Sequence, residues 1–219
     1  KVASKCYLPA NRTLLRLIQQ HKGRFKVAYS LTGVLLEQLE RYSPEVLSTF
    51  HALAKTGCVE FLAETYYHSL SFLYSRHEFI DQVRKQMSLV QDLFGQTPKV
   101  FRNTELIYNN DLALLIEAMG CFDAILTEGA DHVLGYRSPN FVYRPRGCRR
   151  LKMLMKNYSL SDDIAFRFSN RNWAEWPLTA EKFSRWVNAV NGNGHVVNLF
   201  MDYEKIGRAS CRERVYHPV

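Results

Sequence analysis

The chain has 219 residues, is 47% hydrophobic and 13% aromatic, and carries a formal charge of +8; that is enough apolar residue for one sizeable core and excludes an intrinsically disordered chain. No apolar run approaches the ~20 residues of a membrane-spanning helix, and no signal-peptide pattern opens the sequence, so a membrane is not an expected partner. Apart from Arg144-Pro145-Arg146-Gly147-Cys148-Arg149-Arg150, the basic residues are scattered, which reads as a solvated loop or substrate rim and argues against nucleic-acid binding.

Residues 11–22 read as a helix, with Asn11 as its cap, Leu14, Leu15 and Ile18 as its apolar stripe and Gly23 as its stop. Phe25–Tyr29 follows as a strand. Ser43-Pro44-Glu45 opens a second helix, with proline at a position where its missing N–H costs nothing, and Gly57 ends it. Val59-Glu60-Phe61-Leu62 is the next strand. Ser75-Arg76-His77-Glu78 fits a capping box and starts a helix that carries Phe79, Val83, Val90 and Leu93 as far as Gly95. A strand begins at Val100-Phe101, a helix covers 111–119, and Ala124–Thr127 is another strand. Short strands are expected near Leu154 and at Ala165-Phe166-Arg167-Phe168. Thr179 caps a last helix bearing Phe183, Trp186, Val187 and Val190, with Trp186 on its core face. Gly192-Asn193-Gly194 then turns into a final strand, Val196–Met201.

Strands alternating with helices imply a parallel α/β sheet with right-handed crossovers. Acids recur where strands should meet loops: Glu64, Glu105, Glu128 and Asp202. That favours a barrel, whose active site gathers at the carboxyl ends of its strands; no glycine-rich phosphate loop supports an open nucleotide-binding sheet instead. Two acids delivered from separate strand ends, here Glu105 and Asp202, are what glycoside hydrolysis requires.

The five cysteines (Cys6, Cys58, Cys121, Cys148, Cys211) form no paired framework and no C-x-x-C; they read as reduced structural thiols, in keeping with a cytoplasmic location. Residue 1 is Lys, so the natural N-terminus is expected to be missing. Residues 206–219 read as a translated sequencing adapter rather than as protein. Ile206-Gly207-Arg208-Ala209-Ser210-Cys211-Arg212-Glu213-Arg214-Val215 decodes ATC GGA AGA GCG TCG TGT AGG GAA AGA GTG. Without its three arginines and one glutamate the chain carries +8 − 2 = +6. The expected organisation is therefore a partial catalytic barrel over 1–205 and a non-native tail.

Several runs, in order, resemble motifs of glycoside hydrolase family 57, in particular its α-amylase branch. They are Gly57-Cys58-Val59-Glu60-Phe61-Leu62, Ala63-Glu64-Thr65-Tyr66-Tyr67-His68-Ser69-Leu70, Phe101-Arg102-Asn103-Thr104-Glu105, Thr127-Glu128-Gly129-Ala130-Asp131-His132 and Leu199-Phe200-Met201-Asp202-Tyr203-Glu204. The resemblance implies an incomplete seven-stranded (β/α) barrel, the type shared with deacetylases, and retaining cleavage of α-glucan polysaccharides or oligosaccharides. It implies Glu105 as nucleophile, Asp202 as general acid/base, and no cofactor. The family's first motif, a His-Gln-Pro, has no counterpart, and after Glu204 the chain departs from the family's Thr-Phe-Gly-Glu.

Candidate sugar-binding residues are Glu60, Glu64, His68, Asp131 and His132 as hydrogen-bonding groups. Tyr66, Tyr67, Trp173 and Trp176 are candidate faces for stacking on glucose rings. Glucan transfer uses the same chemistry, with a sugar hydroxyl replacing water in the second step. Two other classes compete: a non-catalytic amylase-like carbohydrate-binding protein, and a metal-dependent polysaccharide deacetylase. The latter would need a metal site, typically with a His-x-x-x-His pair that the sequence does not offer, so no metal ligand is expected. Oligomeric state is not legible.

Overall fold

The computed structural model describes residues 1–205; the adapter-like stretch 206–219 lies outside the described residues. The chain forms two compact units. One comprises Lys1–Ala10, Thr127–Tyr143 and the chain from Met153 onward; the other comprises Asn11–Leu126 and Arg144–Lys152.

The second unit is built on parallel strands β1 (Val27–Ser30), β2 (Val59–Leu62), β3 (Val100–Arg102) and the start of β4 (Ala124–Glu128). β1 pairs with β2 from Val27–Val59 to Ser30–Leu62, and β3 pairs with β4 from Val100–Ala124 to Arg102–Leu126. Ala63 completes the row: its N–H donates to Val100 O and its carbonyl accepts from Arg102 N. Parallel neighbours cannot be joined by a tight turn. Helices α2 (Gly33–Tyr42) and α3 (Pro44–Ala54) connect β1 to β2, α4 (Arg76–Phe94) connects β2 to β3, and α5 (Asn110–Ala118) connects β3 to β4. This is the expected α/β alternation. The core lies where strands and helices meet, with Phe50, Phe61, Phe79, Phe101, Leu53, Leu112, Ile116 and Ile125 fully buried. Phe61 stacks on Phe94 and Phe79 sits edge-on to Phe101.

Local capping explains the helix starts, with three departures from expectation. At α4, Ser75 Oγ accepts from Glu78 N, but Glu78 Oε1 accepts from Gln82 Nε2, so only half of the capping box forms. Asn11 is no cap: the first helix, α1, runs Leu8–Gln20, and Asn11 is buried inside it, donating to Thr49 Oγ1. The sequence reading leaves 30–42 without an element, yet α2 forms there, capped by Thr32 Oγ1 and burying Leu36 and Leu39.

In the other unit, α6 (Asp131–Leu134) follows β4. The strand β5 (Lys152–Lys156) leads into α7 (Tyr158–Asp162), and α8 spans Ala180–Asn188. Two expected strands are not observed. Ala165–Phe168 falls in a helical stretch continuing α7, Asp163–Arg167. Asn157 caps α7, the Arg167–Asp163 pair (2.6 Å) braces the next turn, and Phe166 is exposed rather than paired in a sheet. In the run Val196–Met201, only Asn198 makes a bridge, parallel to Lys156. Within the run, the N–H of Val196 goes to Asn140 O and that of Phe200 to Ser161 Oγ, so these two donors are taken from any ladder. No helix among the described residues is long and apolar enough to cross a membrane.

Candidate active site

Parallel pairing gathers the carboxyl ends of β1, β2 and β3, and the residues just past them form one polar cluster. Glu64, two residues beyond β2, is 1% exposed. Its Oε1 accepts from Ser30 Oγ at 2.6 Å, at the end of β1, and its Oε2 accepts from Arg102 Nη1 at 3.3 Å, at the end of β3. The same Oε2 lies 3.2 Å from His68 Nδ1, and His68 Nε2 lies 2.9 Å from Glu105 Oε1. Glu64 is the buried end of this chain of contacts. Glu105, with 71% of its side chain exposed, is the solvent end.

The backbone here is unusual. His68, Glu105 and Leu106 all have φ between +53° and +55°, a left-handed conformation that costs a non-glycine residue ~1–3 kcal/mol. The two loops are laced against that cost. Thr65 Oγ1 and Thr104 Oγ1 share a hydrogen bond of 3.1 Å, Thr104 Oγ1 donates to Ser69 O, and Ser69 N donates to Thr65 Oγ1. Ser69 Oγ donates to Gln82 Oε1 on α4, and Asn103 Nδ2 closes the second loop on Ile107 O. Strained backbone held by surrounding contacts, next to an exposed acid, is a feature of functional sites.

Each ring nitrogen of His68 faces a carboxylate oxygen, and an ionised carboxylate only accepts. Both nitrogens therefore carry protons while both acids are ionised. The hydrogen bond to Glu64, followed by that to Glu105, raises the His68 pKa against the opposing effects of partial burial and Arg102. The bond from His68 lowers the Glu105 pKa, more than partial burial raises it. With His68 protonated and both acids ionised, the two negative and two positive charges of the cluster sum to zero.

Of the residues singled out from sequence, Glu64, His68 and Glu105 come together. Arg102 and Ser30 were missed as members. An arginine at the end of a buried strand is a signal from which a buried acid partner could have been read, whereas Ser30 lies one residue past the expected strand and carries no signal. Glu60 stands apart: it pairs opposite Ala28, about 13 Å of strand short of Glu64. Its pKa is raised by partial burial and then by Asp123, which precedes β4. Tyr67 is exposed, and its hydroxyl accepts from Lys85 Nζ at 2.7 Å. Tyr66 is buried instead, its hydroxyl on Glu37, with its pKa pushed up to about 12 by burial and by that glutamate.

The remaining candidates belong to the other unit. Asp202 is exposed, and Tyr203 beside it stacks on Tyr7 with ring centroids 5.9 Å apart. Burial raises the Tyr7 pKa, with further contributions from Glu204, Cys6 and Asp202. Asp131 Oδ2 accepts from Tyr158 Oη at 2.8 Å, while His132 is exposed. Trp173 packs edge-on to Trp186, which is half-covered rather than a core residue. Trp176 is exposed, with the Arg171 guanidinium 5.8 Å from its ring centre. Among the described residues, no group of three or more His, Cys, Asp or Glu is arranged to hold a metal ion.

The sequence profile of Glycosyl hydrolase family 57 matches residues 1–217. The chain belongs to this family. Over 215 residues it is 47% identical to the protein named "Putative alpha-amylase" of Methanocaldococcus jannaschii, covering 97% of this chain and 44% of that one. The chain thus spans less than half the length of the curated relatives it matches. Among solved structures it resembles the 4-alpha-glucanotransferase of Thermococcus litoralis (TM-score 0.76, 18% identity, 99% of this chain and 32% of that one). It also resembles a family 57 branching enzyme of Pyrococcus horikoshii (TM-score 0.62, 17% identity, 96% and 60%). At such identities the likeness concerns the fold, and it is the α/β fold of family 57.

Proposed function

We propose that this family 57 chain is the core of a retaining glycoside hydrolase of α-amylase type, acting on α-glucan polysaccharides or oligosaccharides. Glu105 is its nucleophile and Asp202 its general acid/base. The observation that carries this reading is Glu105 itself: an exposed carboxylate just past the end of a parallel strand, on a left-handed turn, with its pKa lowered by the hydrogen bond from His68. The full fold in this reading is the incomplete (β/α) barrel, and the parallel row from β1 to β4 with its helical crossovers supports it.

In the first step a Glu105 oxygen bonds to the anomeric carbon. The bond from that carbon to the glycosidic oxygen breaks, and the leaving oxygen takes the proton of Asp202. In the second step Asp202, now a carboxylate, takes a proton from water as the water oxygen attacks the same carbon, and Glu105 leaves as a carboxylate. Two inversions retain the α configuration. Tyr67 and Trp176, the exposed aromatics among the candidates, serve as stacking faces for glucose rings, and His132 and Asp131 as hydrogen-bonding groups.

The test is product stereochemistry. The chain is incubated with maltoheptaose and, separately, with α-maltosyl fluoride, and the anomeric protons are followed by NMR from the first turnover. First-formed α-product that Glu105→Gln abolishes supports the reading, and longer oligosaccharides appearing alongside would show transfer competing with hydrolysis. First-formed β-product, or turnover indifferent to Glu105→Gln, contradicts the assignment. Failure of the chain to turn over either compound contradicts the enzyme reading for this chain.

A further inference from the structure

We infer that His68 is the positioning residue of Glu105: anchored on buried Glu64, it stays an imidazolium that orients Glu105 as a carboxylate, and it assists the return of that carboxylate in the second catalytic step. The inference rests on the glycosidase reading for its second half only.

Three observations carry it. His68 is hydrogen-bonded to both acids, at 3.2 Å from Glu64 and 2.9 Å from Glu105. Its far anchor is well held: Glu64 is buried and also bonded by Ser30 and Arg102. Both bonding partners stand on left-handed backbone, His68 at φ +53° and Glu105 at φ +53°, and it is in that conformation that the two loops bring the imidazole to the carboxylate.

Among the described residues, the charges facing His68 are those of Glu64, Glu105 and Arg102. With all four groups ionised the cluster is neutral. When Glu105 bonds to the anomeric carbon it loses its charge, and the cluster is left at +1. When the carbon–oxygen bond to Glu105 later breaks, the electron pair returns to that oxygen opposite an imidazolium already in place. Stabilisation placed in advance where charge develops is the usual source of electrostatic catalysis. His68 therefore favours release of the glycosyl group over its capture.

The first measurement is a ring-proton NMR titration of His68 in the wild-type chain and in Glu105→Gln, a change at an exposed side chain that spares the core. A wild-type midpoint above the ordinary histidine value, moving down in Glu105→Gln, is expected. A midpoint at or below the ordinary value, unmoved by the substitution, overturns the inference. The second is intact-mass analysis during turnover of α-maltosyl fluoride, whose fluoride leaves without acid assistance. In His68→Gln and His68→Ala, release slows by about tenfold or more, as expected for loss of a hydrogen bond to a charged group, and the covalent adduct accumulates. Adduct levels equal to wild type overturn the role in the second step. If no protein forms an adduct or releases fluoride, the glycosidase reading fails, and the titration still decides whether His68 is held as proposed.

Discussion

Arg102 Nη1 lies 3.3 Å from Glu64 Oε2, with side-chain exposures of 11% and 1%, joining the ends of neighbouring parallel strands. In a setting this dry, the net attraction of the pair matters less than the cost of removing one partner, because an unpaired buried charge is strongly unfavourable. Arg102→Met should destabilise the chain, by less than the ~3–5 kcal/mol of a fully unpaired buried charge, because Ser30 and His68 still bond Glu64. The double variant Arg102→Met/Glu64→Gln should recover part of that loss. Urea unfolding of both variants checks it, and equal stability of single and double variants would contradict the coupling.

The His68–Glu105 pair sets a pH window. His68 is raised above its ordinary 6.5, so its contribution is complete below about 6.5 and disappears as pH rises through the folded-state value. Glu105 is lowered below its ordinary 4.5, so its contribution is complete above about 4.5 and disappears as pH falls through the folded-state value. The melting-temperature difference between wild type and His68→Asn should therefore be widest between about pH 4.5 and 6.5 and close on the alkaline side. A difference independent of pH would exclude the charged pair.

Gly33 is required by a neighbour rather than by its own φ. A Cβ there would lie 2.3 Å from Tyr66 Cε2, inside the ring's contact distance. Gly33→Ala should lose about 1–3 kcal/mol, the usual range for overpacking, and should displace Tyr66 from Glu37 and from the Lys85 ammonium, 3.8 Å from its ring centre. The change reads out as a lower melting temperature and a lowered tyrosine titration midpoint.

Glu117, at the end of α5, accepts hydrogen bonds from the backbone N–H groups of Arg149, Arg150 and Leu151, which bring its pKa down to about 2. A depressed acid stabilises the fold above its ordinary value of 4.5 and ceases to do so as pH falls through about 2. Glu117→Gln should melt below wild type at neutral pH, with the gap narrowing as the solution approaches pH 2. A gap that persists at that pH would mean that the loop is held by something other than this charge.

Much of the fold could be read from local pattern. β2 falls on the expected residues, α4 starts at Ser75 and ends at Gly95 as expected, and Thr179 caps α8. Each of these depends on residues a few positions apart, and the hydrophobic period and the cap chemistry lie within the window they govern. Glu64 and Glu105 could be named for a related reason: strand ends are visible in sequence, and parallel strands deliver their ends to one place; His68 could be named from the family-like run 63–70.

Tertiary structure decided what depended on distant groups. Val196–Met201 reads as a strand, but Asn140 O and Ser161 Oγ claim the donors of Val196 and Phe200. Ala165–Phe168 alternates like a strand, but the cap at Asn157 and the Asp163–Arg167 pair make it helical. Gly33 begins a helix whose packing against Tyr66 no local pattern announces. The candidate nucleophile is bonded in the same way by a histidine 37 positions away, itself held by a buried acid, and that bond lowers its pKa. Sequence determined which backbone states were available and which residues carried chemistry. The competition for each hydrogen bond was settled only when folding brought partners tens of residues apart within 3 Å or so, and distance along the chain does not measure that proximity.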